Sequence, residues 1–331
     1  TETHEALKTA VADLEKGSDV LLTSSGLSAV NMTLTSFGEA GADILMPDTA
    51  YDPVRSFCDD FLVPRGVSIR YYDPLIGAGI ADLIRPETTL IHAETPGSLT
   101  FEVQDLPAIC QAAGDVPVSV DNTWGAGYFF KPLEHGAAVS IQSATKYLSG
   151  HSDVFLGTAC SRDPAVGRQL ARTARLFGNA SSPDDAYVVL RGMRTLAVRL
   201  EEHQRQGLAL ARWLEKRPEV AKVLHPGLES HPQHALWKRD FTGASGLFSA
   251  ILKRSDENYV RTFRDSLRLY GLGYSWGGFE SLCLPAWPAQ ARTAVPWRER
   301  GQLLRFHAGF EALDDLTADL AQAFERAGKE G

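Results

Sequence analysis

At 331 residues the chain is long enough for two domains with sizeable buried cores. Hydrophobic residues are 44% and charged residues 22%, an ordinary globular balance, and no apolar run is long enough to span a bilayer. A formal net charge of −8 argues against a broad nucleic-acid surface, so neither a membrane nor a nucleic acid is expected as a partner.

Cys58, Cys110, Cys160 and Cys283 lie far apart, form no CxxC pair and suggest no disulfide framework. No signal-peptide pattern is visible, so the chain is read as cytoplasmic; it opens at Thr1, and residues can precede it.

A helix is expected from near Thr3 to Gly17, with Leu7, Val11 and Leu14 at helical spacing and Gly17 at the C′ position. A short buried strand at 20–22 then enters Ser24-Ser25-Gly26, and a second helix carries Leu27, Val30, Leu34 and Phe37 on one face. A strand, a glycine turn and a helix start aim backbone N–H groups at one point, a good place for a phosphate. Further strands are expected at 43–46, 67–71, 88–92, 116–120, 139–142 and 154–159, with helical segments between several of them. That alternation indicates an α/β fold with a mostly parallel sheet covered on both faces, whose sites lie at the carboxyl ends of the strands.

Beyond about residue 190 the texture changes. Residues 191–217 read as one long amphipathic helix with Leu196, Leu200, Leu208 and Leu214 on its apolar side. Strands at 220–224, 246–251 and 281–284 and a closing helix over 312–327 complete a smaller α/β domain. The expected division is a large domain, 1–192, and a small C-terminal domain, 193–331. The stretch 285–298, rich in Pro, Ala and Trp, reads as a surface loop near the site.

Asp121 and Lys146 each follow an apolar strand closely, so both fall at the carboxyl edge. A lysine and a carboxylate at the ends of neighbouring strands are what a pyridoxal phosphate (PLP) enzyme needs. The lysine binds the cofactor aldehyde, and the carboxylate keeps the ring nitrogen protonated so that the ring withdraws electrons. Hydroxyls at Ser143 and Thr145 stand beside the lysine to take a phosphate. Each residue also has a plainer reading: Lys146 as a surface lysine, Asp121-Asn122-Thr123 as a turn. Their pairing favours the functional reading.

Tyr51, in Asp48-Thr49-Ala50-Tyr51, can stack on a flat ring and handle protons, or be a loop tyrosine; spacing does not separate the two. Arg305 lies between apolar residues and requires an anion, either a substrate carboxylate or a structural partner. His307 reads as a core histidine without an assigned role. His231 and His234 have HxxH spacing but flank Pro232 with no Glu or Cys nearby, so no metal site is expected. Ser143-x-x-Lys146 also matches the S-x-x-K of serine β-lactamases and penicillin-binding proteins, but that class carries a Lys-Thr-Gly strand and a Ser-Asp-Asn loop, and neither occurs in this sequence.

Over essentially its whole length the chain resembles the Cys/Met-metabolism PLP enzymes. The resemblance is carried by Ser25-Gly26-Leu27, Thr49-Ala50-Tyr51, Glu94-Thr95-Pro96-Gly97-Ser98-Leu99, Asp121-Asn122-Thr123-Trp124, Ser143-Ala144-Thr145-Lys146, Tyr274-Ser275-Trp276-Gly277-Gly278 and Arg305-Phe306-His307. It implies the type I PLP-dependent aminotransferase-like fold. Within the family, Gly97-Ser98-Leu99 and Trp276 resemble the β-lyases; the γ-synthases and γ-lyases usually carry Ser-Asn-Pro and lack the Trp.

The resemblance implies that Lys146 holds PLP covalently and is catalytic, with Tyr51 as stacking and second catalytic residue. Ser25, Gly26, Leu27, Thr123, Ser143 and Thr145 would join Asp121 in binding the cofactor. Ser275, Trp276 and Arg305 would bind the substrate. It further implies a carbon–sulfur lyase of methionine biosynthesis that converts L-cystathionine, or another cysteine S-conjugate, by β-elimination to a thiol, pyruvate and ammonia. A homotetramer, built as a dimer of dimers, is implied with it. A γ-acting member of the family and a non-enzymatic relative without cofactor are the alternatives. Family members carry an arm upstream of the point where this sequence opens, whose Tyr and Arg reach the phosphate of a neighbouring subunit; this sequence begins after it.

Overall fold

The computed structural model describes residues 1–330. Strands β1 (Asp19–Thr23), β2 (Asp43–Pro47), β3 (Ser68–Tyr72), β4 (Thr88–Glu94), β5 (Val118–Asp121), β6 (Val139–Ser143) and β7 (Gly157–Ser161) form one sheet in the order β1-β7-β6-β5-β4-β2-β3. From β6 to β3 all neighbours are parallel, whereas β7 runs antiparallel to both β6 and β1.

Successive side chains of a strand face opposite ways, and both faces here are apolar. Ile44, Met46, Leu90 and Ile141 pack on one side against Val30 and Leu34 of α2 (Gly26–Phe37), which follows α1 (Glu2–Glu15). Leu45, Ile91 and Val120 pack on the other against Leu106 and Ile109, after α3 (Asp52–Phe57), on α4 (Leu106–Ala113). Side-chain caps start these helices: Ser25 Oγ accepts from Ser28 N at 3.1 Å, and Asp105 Oδ1 accepts from Ala108 N at 3.2 Å.

Helices α5 (Pro164–Leu176), α6 (Pro183–Met193) and α7 (Leu196–Glu215) lead to a second sheet. It contains β8 (Val220–Leu224), β9 (Leu247–Leu252), β10 (Leu282–Ala286) and β11 (Leu303–His307), antiparallel throughout in the order β10-β11-β9-β8. The intervening and closing helices are α8 (His234–Asp240), α9 (Glu257–Ser266) and α10 (Leu313–Glu330). Phe248, Leu304 and Phe306 bury one face of this sheet against Leu210, Phe263 and Phe324. Leu247, Ile251 and Leu303, on the other, join the core cluster of the first sheet with Trp124.

Four expectations need correction. The long helix over 191–217 is two helices: Thr195, with φ −113° and ψ 10°, interrupts the run between α6 and α7. At the end of α1 the left-handed residue is Lys16 (φ 61°), not Gly17. Gly17 is needed for space, since a Cβ there would lie 2.3 Å from Cys160 Sγ. The strand at 154–159 begins only at Gly157, because Leu156 turns its N–H and C=O to Thr145. In the stretch 285–298, expected as a surface loop, β10 takes the first two residues to Ala286; the loop beyond is anchored by Asp48 Oδ2, which accepts from the N–H groups of Ala294 and Val295 at 3.0 and 2.7 Å. Among the described residues no helix is long and apolar enough to cross a membrane.

Candidate active site

The carboxyl ends of β4, β5 and β6 bring Glu94, Asp121 and Ser143 side by side, with Glu94 and Asp121 as register partners. They line a cavity of about 330 Å³ together with Gly26, Tyr51, Lys146, Trp276 and Arg305.

Asp121 Oδ1 accepts from Thr123 N at 2.9 Å and from Thr123 Oγ1 at 2.6 Å. The same hydroxyl accepts from Ser143 N at 2.8 Å, which ties the carboxylate to the start of the lysine turn. Burial raises the Asp121 pKa, opposed by the Thr123 bonds and then by Lys146. Beside it, burial and the Asp121 charge hold Glu94 well above the ordinary carboxylate range. Two adjacent buried acids resist ionising together, and the upward push is the stronger at Glu94. Glu94 Oε2 also accepts from Tyr51 N at 2.8 Å, which places that tyrosine at the cavity wall.

Lys146 follows β6 in a tight turn, with its N–H on Ser143 O at 3.0 Å. Its Nζ donates to Ser275 Oγ at 2.7 Å and lies 5.2 Å from the centroid of the Trp276 ring. Burial, and next the Arg305 charge, lower its pKa to about 8, while Asp121 opposes the shift.

Arg305 is 8% exposed, and burial lowers its pKa to about 10. Nη2 donates to Gly273 O and Tyr274 O, both at 2.9 Å. Nη1 and Nε are not committed to those carbonyls and can meet a carboxylate in the cavity.

At the other end, Gly26 and Leu27 open α2, where the first N–H groups have no helical acceptor. A Cβ on Gly26 would lie 2.3 Å from Ser143 Cβ, so only glycine lets the helix start meet the lysine turn. Ser25 caps α2 through its oxygen but keeps a hydroxyl proton to give. The Thr145 hydroxyl bonds to the backbone of Leu156, at 3.1 Å from its N and 3.3 Å from its O.

The sequence-predicted site residues therefore come together around one cavity. Ser275 is not among its lining residues but reaches Lys146 from outside the wall. Thr123 is engaged with Asp121, so its oxygen positions the carboxylate. Outside the cavity, His231 Nδ1 accepts from Gln233 N and His234 Nδ1 lies against Pro226 O. Sequence reasoning missed Glu94 as a functional group. It also missed Arg199, 7% exposed, which donates to Tyr147 O at 2.7 Å and Gly192 O at 2.8 Å and fixes the segment after Lys146.

An amine with a lowered pKa, a buried carboxylate and a glycine-led helix start on one cavity fit pyridoxal phosphate. Asp121 would hold the ring nitrogen, Lys146 the aldehyde carbon, and Gly26, Leu27 and Ser143 the phosphate. The donor set thus defines a PLP-dependent enzyme on an α/β fold.

The chain belongs to the Cys/Met metabolism PLP-dependent enzyme family, whose model matches residues 1–325. It is 46% identical to a putative cystathionine beta-lyase of Rhizobium johnstonii, over 99% of this chain and 84% of the relative. Identity is 44% to the cystathionine beta-lyase of Salmonella typhimurium, over 98% of this chain and 84% of that one. A cystathionine gamma synthase from Xanthomonas oryzae pv. oryzae, solved in complex with aminoacrylate and cysteine, superposes with a TM-score of 0.93. That match covers 100% of this chain and 87% of the other at 34% identity.

Proposed function

We propose that this chain is a PLP-dependent carbon–sulfur β-lyase that converts L-cystathionine to homocysteine, pyruvate and ammonia. The observation that carries the chemistry is the Lys146 amine, held on Ser275 Oγ beneath Trp276 at the same cavity as Asp121. The β-lyases among the relatives support the choice of bond.

Bound PLP supplies an aldehyde for the amine and an electron sink for the charge left at the substrate Cα. Arg305 takes the substrate α-carboxylate through Nη1 and Nε, which orients the Cα–H bond toward Lys146. Lys146 Nζ, with a pKa of about 8, removes the Cα proton and can return a proton to the departing sulfur. Ser275 Oγ keeps that nitrogen in place. Asp121 would hold the ring nitrogen when the cofactor is bound, with Glu94 beside it. Trp276, Leu99 and Phe101 give the cavity an apolar wall.

The Gly97-Ser98-Leu99 wall favours β-elimination over the γ-acting alternative. A Cβ at Gly97 would lie 2.6 Å from Thr49 Cβ, so the Ser of the γ-enzymes does not fit this backbone. We further propose a domain boundary near residue 192 from the change of texture there, a cytoplasmic location and, from the family resemblance, a homotetramer. Product analysis with L-cystathionine tests the reaction. Pyruvate and homocysteine are expected; 2-oxobutyrate and cysteine as the products would overturn the assignment.

A further inference from the structure

We propose that His307 is a positioning residue of this site, acting through the backbone of the segment that carries Ser275 and Trp276. The inference rests on the site reading above and extends it to a group outside the cavity.

His307 ends β11 and is 1% exposed. Its Nδ1 lies 3.1 Å from Glu280 O, and its Nε2 lies 3.0 Å from Gly277 N. A carbonyl only accepts and a peptide N–H only donates, so Nδ1 carries the proton and Nε2 is bare. One neutral tautomer satisfies both contacts.

Arg305 and His307 are two residues apart on one strand and so share a face of the sheet. Arg305 holds the carbonyls of Gly273 and Tyr274, and His307 holds the N–H of Gly277 and the carbonyl of Glu280. One strand face thus grips both ends of the segment 273–280. Ser275 and Trp276, the two residues that face the Lys146 amine, lie between the grips.

Contact at Gly277 is close. Its φ is 89°, and a Cβ there would stand 3.0 Å from the Lys146 Cα, C and Cβ. A shift of Gly277 therefore shifts Ser275 and Trp276 relative to the lysine. Behind His307 the rings of His203 and Tyr147 lie 5.0 and 6.0 Å away, and Tyr147 packs on Trp276 at 5.4 Å. The imidazole has no room to turn away from its two partners.

Two substitutions separate the hydrogen bond from the volume. His307→Leu fills the space but removes the acceptor, whereas His307→Gln keeps an acceptor at the reach of Nε2. The first readout is acrylamide quenching of Trp276 emission in cofactor-free protein, isolated by subtracting the Trp276→Phe counterpart of each variant. Quenching should rise about twofold or more in His307→Leu and stay at the wild-type value in His307→Gln. The second is steady-state turnover of L-cystathionine by the holoenzyme. His307→Leu should lose about tenfold or more in kcat with KM within about threefold, and His307→Gln should recover to within about threefold of wild type.

Wild-type quenching and kcat in His307→Leu would overturn the proposal. So would equal losses in both variants, since those report packing alone. If His307→Leu does not fold, His307→Gln decides alone: a loosened Trp276 or a tenfold loss of kcat there contradicts the proposal. Wild-type protein that releases no pyruvate would sink the lyase reading instead, and the quenching comparison would still test His307.

Discussion

Lys146 Nζ donates to Ser275 Oγ at 2.7 Å, across 129 residues of chain and from one sheet to the edge of the other. A hydroxyl at that position fixes where the amine points, and proton transfer is sensitive to direction. Ser275→Ala should lower kcat by about tenfold with little change in KM. Steady-state kinetics with L-cystathionine measure both constants, and an unchanged kcat would remove Ser275 from the proton-transfer geometry.

Asp121 supplies the fixed negative charge of the cavity. Asp121→Asn keeps the shape and the Thr123 contacts but loses the charge. Turnover should drop on the order of a hundredfold, the usual size of a lost preorganised electrostatic partner. Deuterium exchange at the substrate Cα should slow in parallel, and exchange at the wild-type rate would count against this role.

Arg305 has two functions in this geometry. It offers Nη1 and Nε to a carboxylate and spends Nη2 on Gly273 O and Tyr274 O. Arg305→Lys keeps the charge but loses the fork, so KM should rise by about tenfold or more, as for a lost charge-assisted pair. A saturation curve on the thioether substrate reports this directly, and unchanged saturation would show that the carboxylate binds elsewhere.

Glu15, on α1 and fully buried, accepts from Ser140 Oγ at 2.9 Å and from Asn122 Nδ2 at 3.4 Å, and also from Gln142. Burial raises its pKa from 4.5 to about 7 against those bonds. Because the folded value is the higher one, the folded chain holds a proton that the unfolded chain releases between about pH 4.5 and 7. Its contribution to stability is most favourable below that window and is lost as pH rises through about 7. The loss is on the order of 3 kcal/mol at about 1.4 kcal/mol per pH unit. Glu15→Gln lacks this titration, so its thermal midpoint should gain on wild type from pH 5 to pH 8. A difference that is flat with pH would refute the buried charge.

The large sheet and its two key side chains were legible because local signals coincide there. Val118–Asp121 and Val139–Ser143 are short apolar strands, one ending in Asp121 and the other followed within one turn by Lys146. Other features left no local trace. Arg199 sits in an Arg- and Glu-rich helix and looks solvated, yet Nη1 and Nη2 donate to peptide carbonyls, which carry no residue identity, and only Nε bonds a side chain, Thr195 Oγ1. Asp48 likewise binds backbone N–H groups at Thr293, Ala294 and Val295, more than two hundred residues away, so the anchoring of the 285–298 loop left no local signal. Glu94 becomes functional only through its register with Asp121, and register belongs to the folded sheet. The break before α7 falls at Thr195, where neither glycine nor proline signals it.

Borohydride reduction of the purified holoenzyme, followed by peptide mass mapping, tests the central claim most directly. The account predicts one reduced pyridoxyl phosphate, on the peptide that contains Lys146, and none in Lys146→Ala together with loss of turnover. Cofactor fixed on a different lysine, or a Lys146→Ala protein that still cleaves the thioether at the wild-type rate, would contradict it.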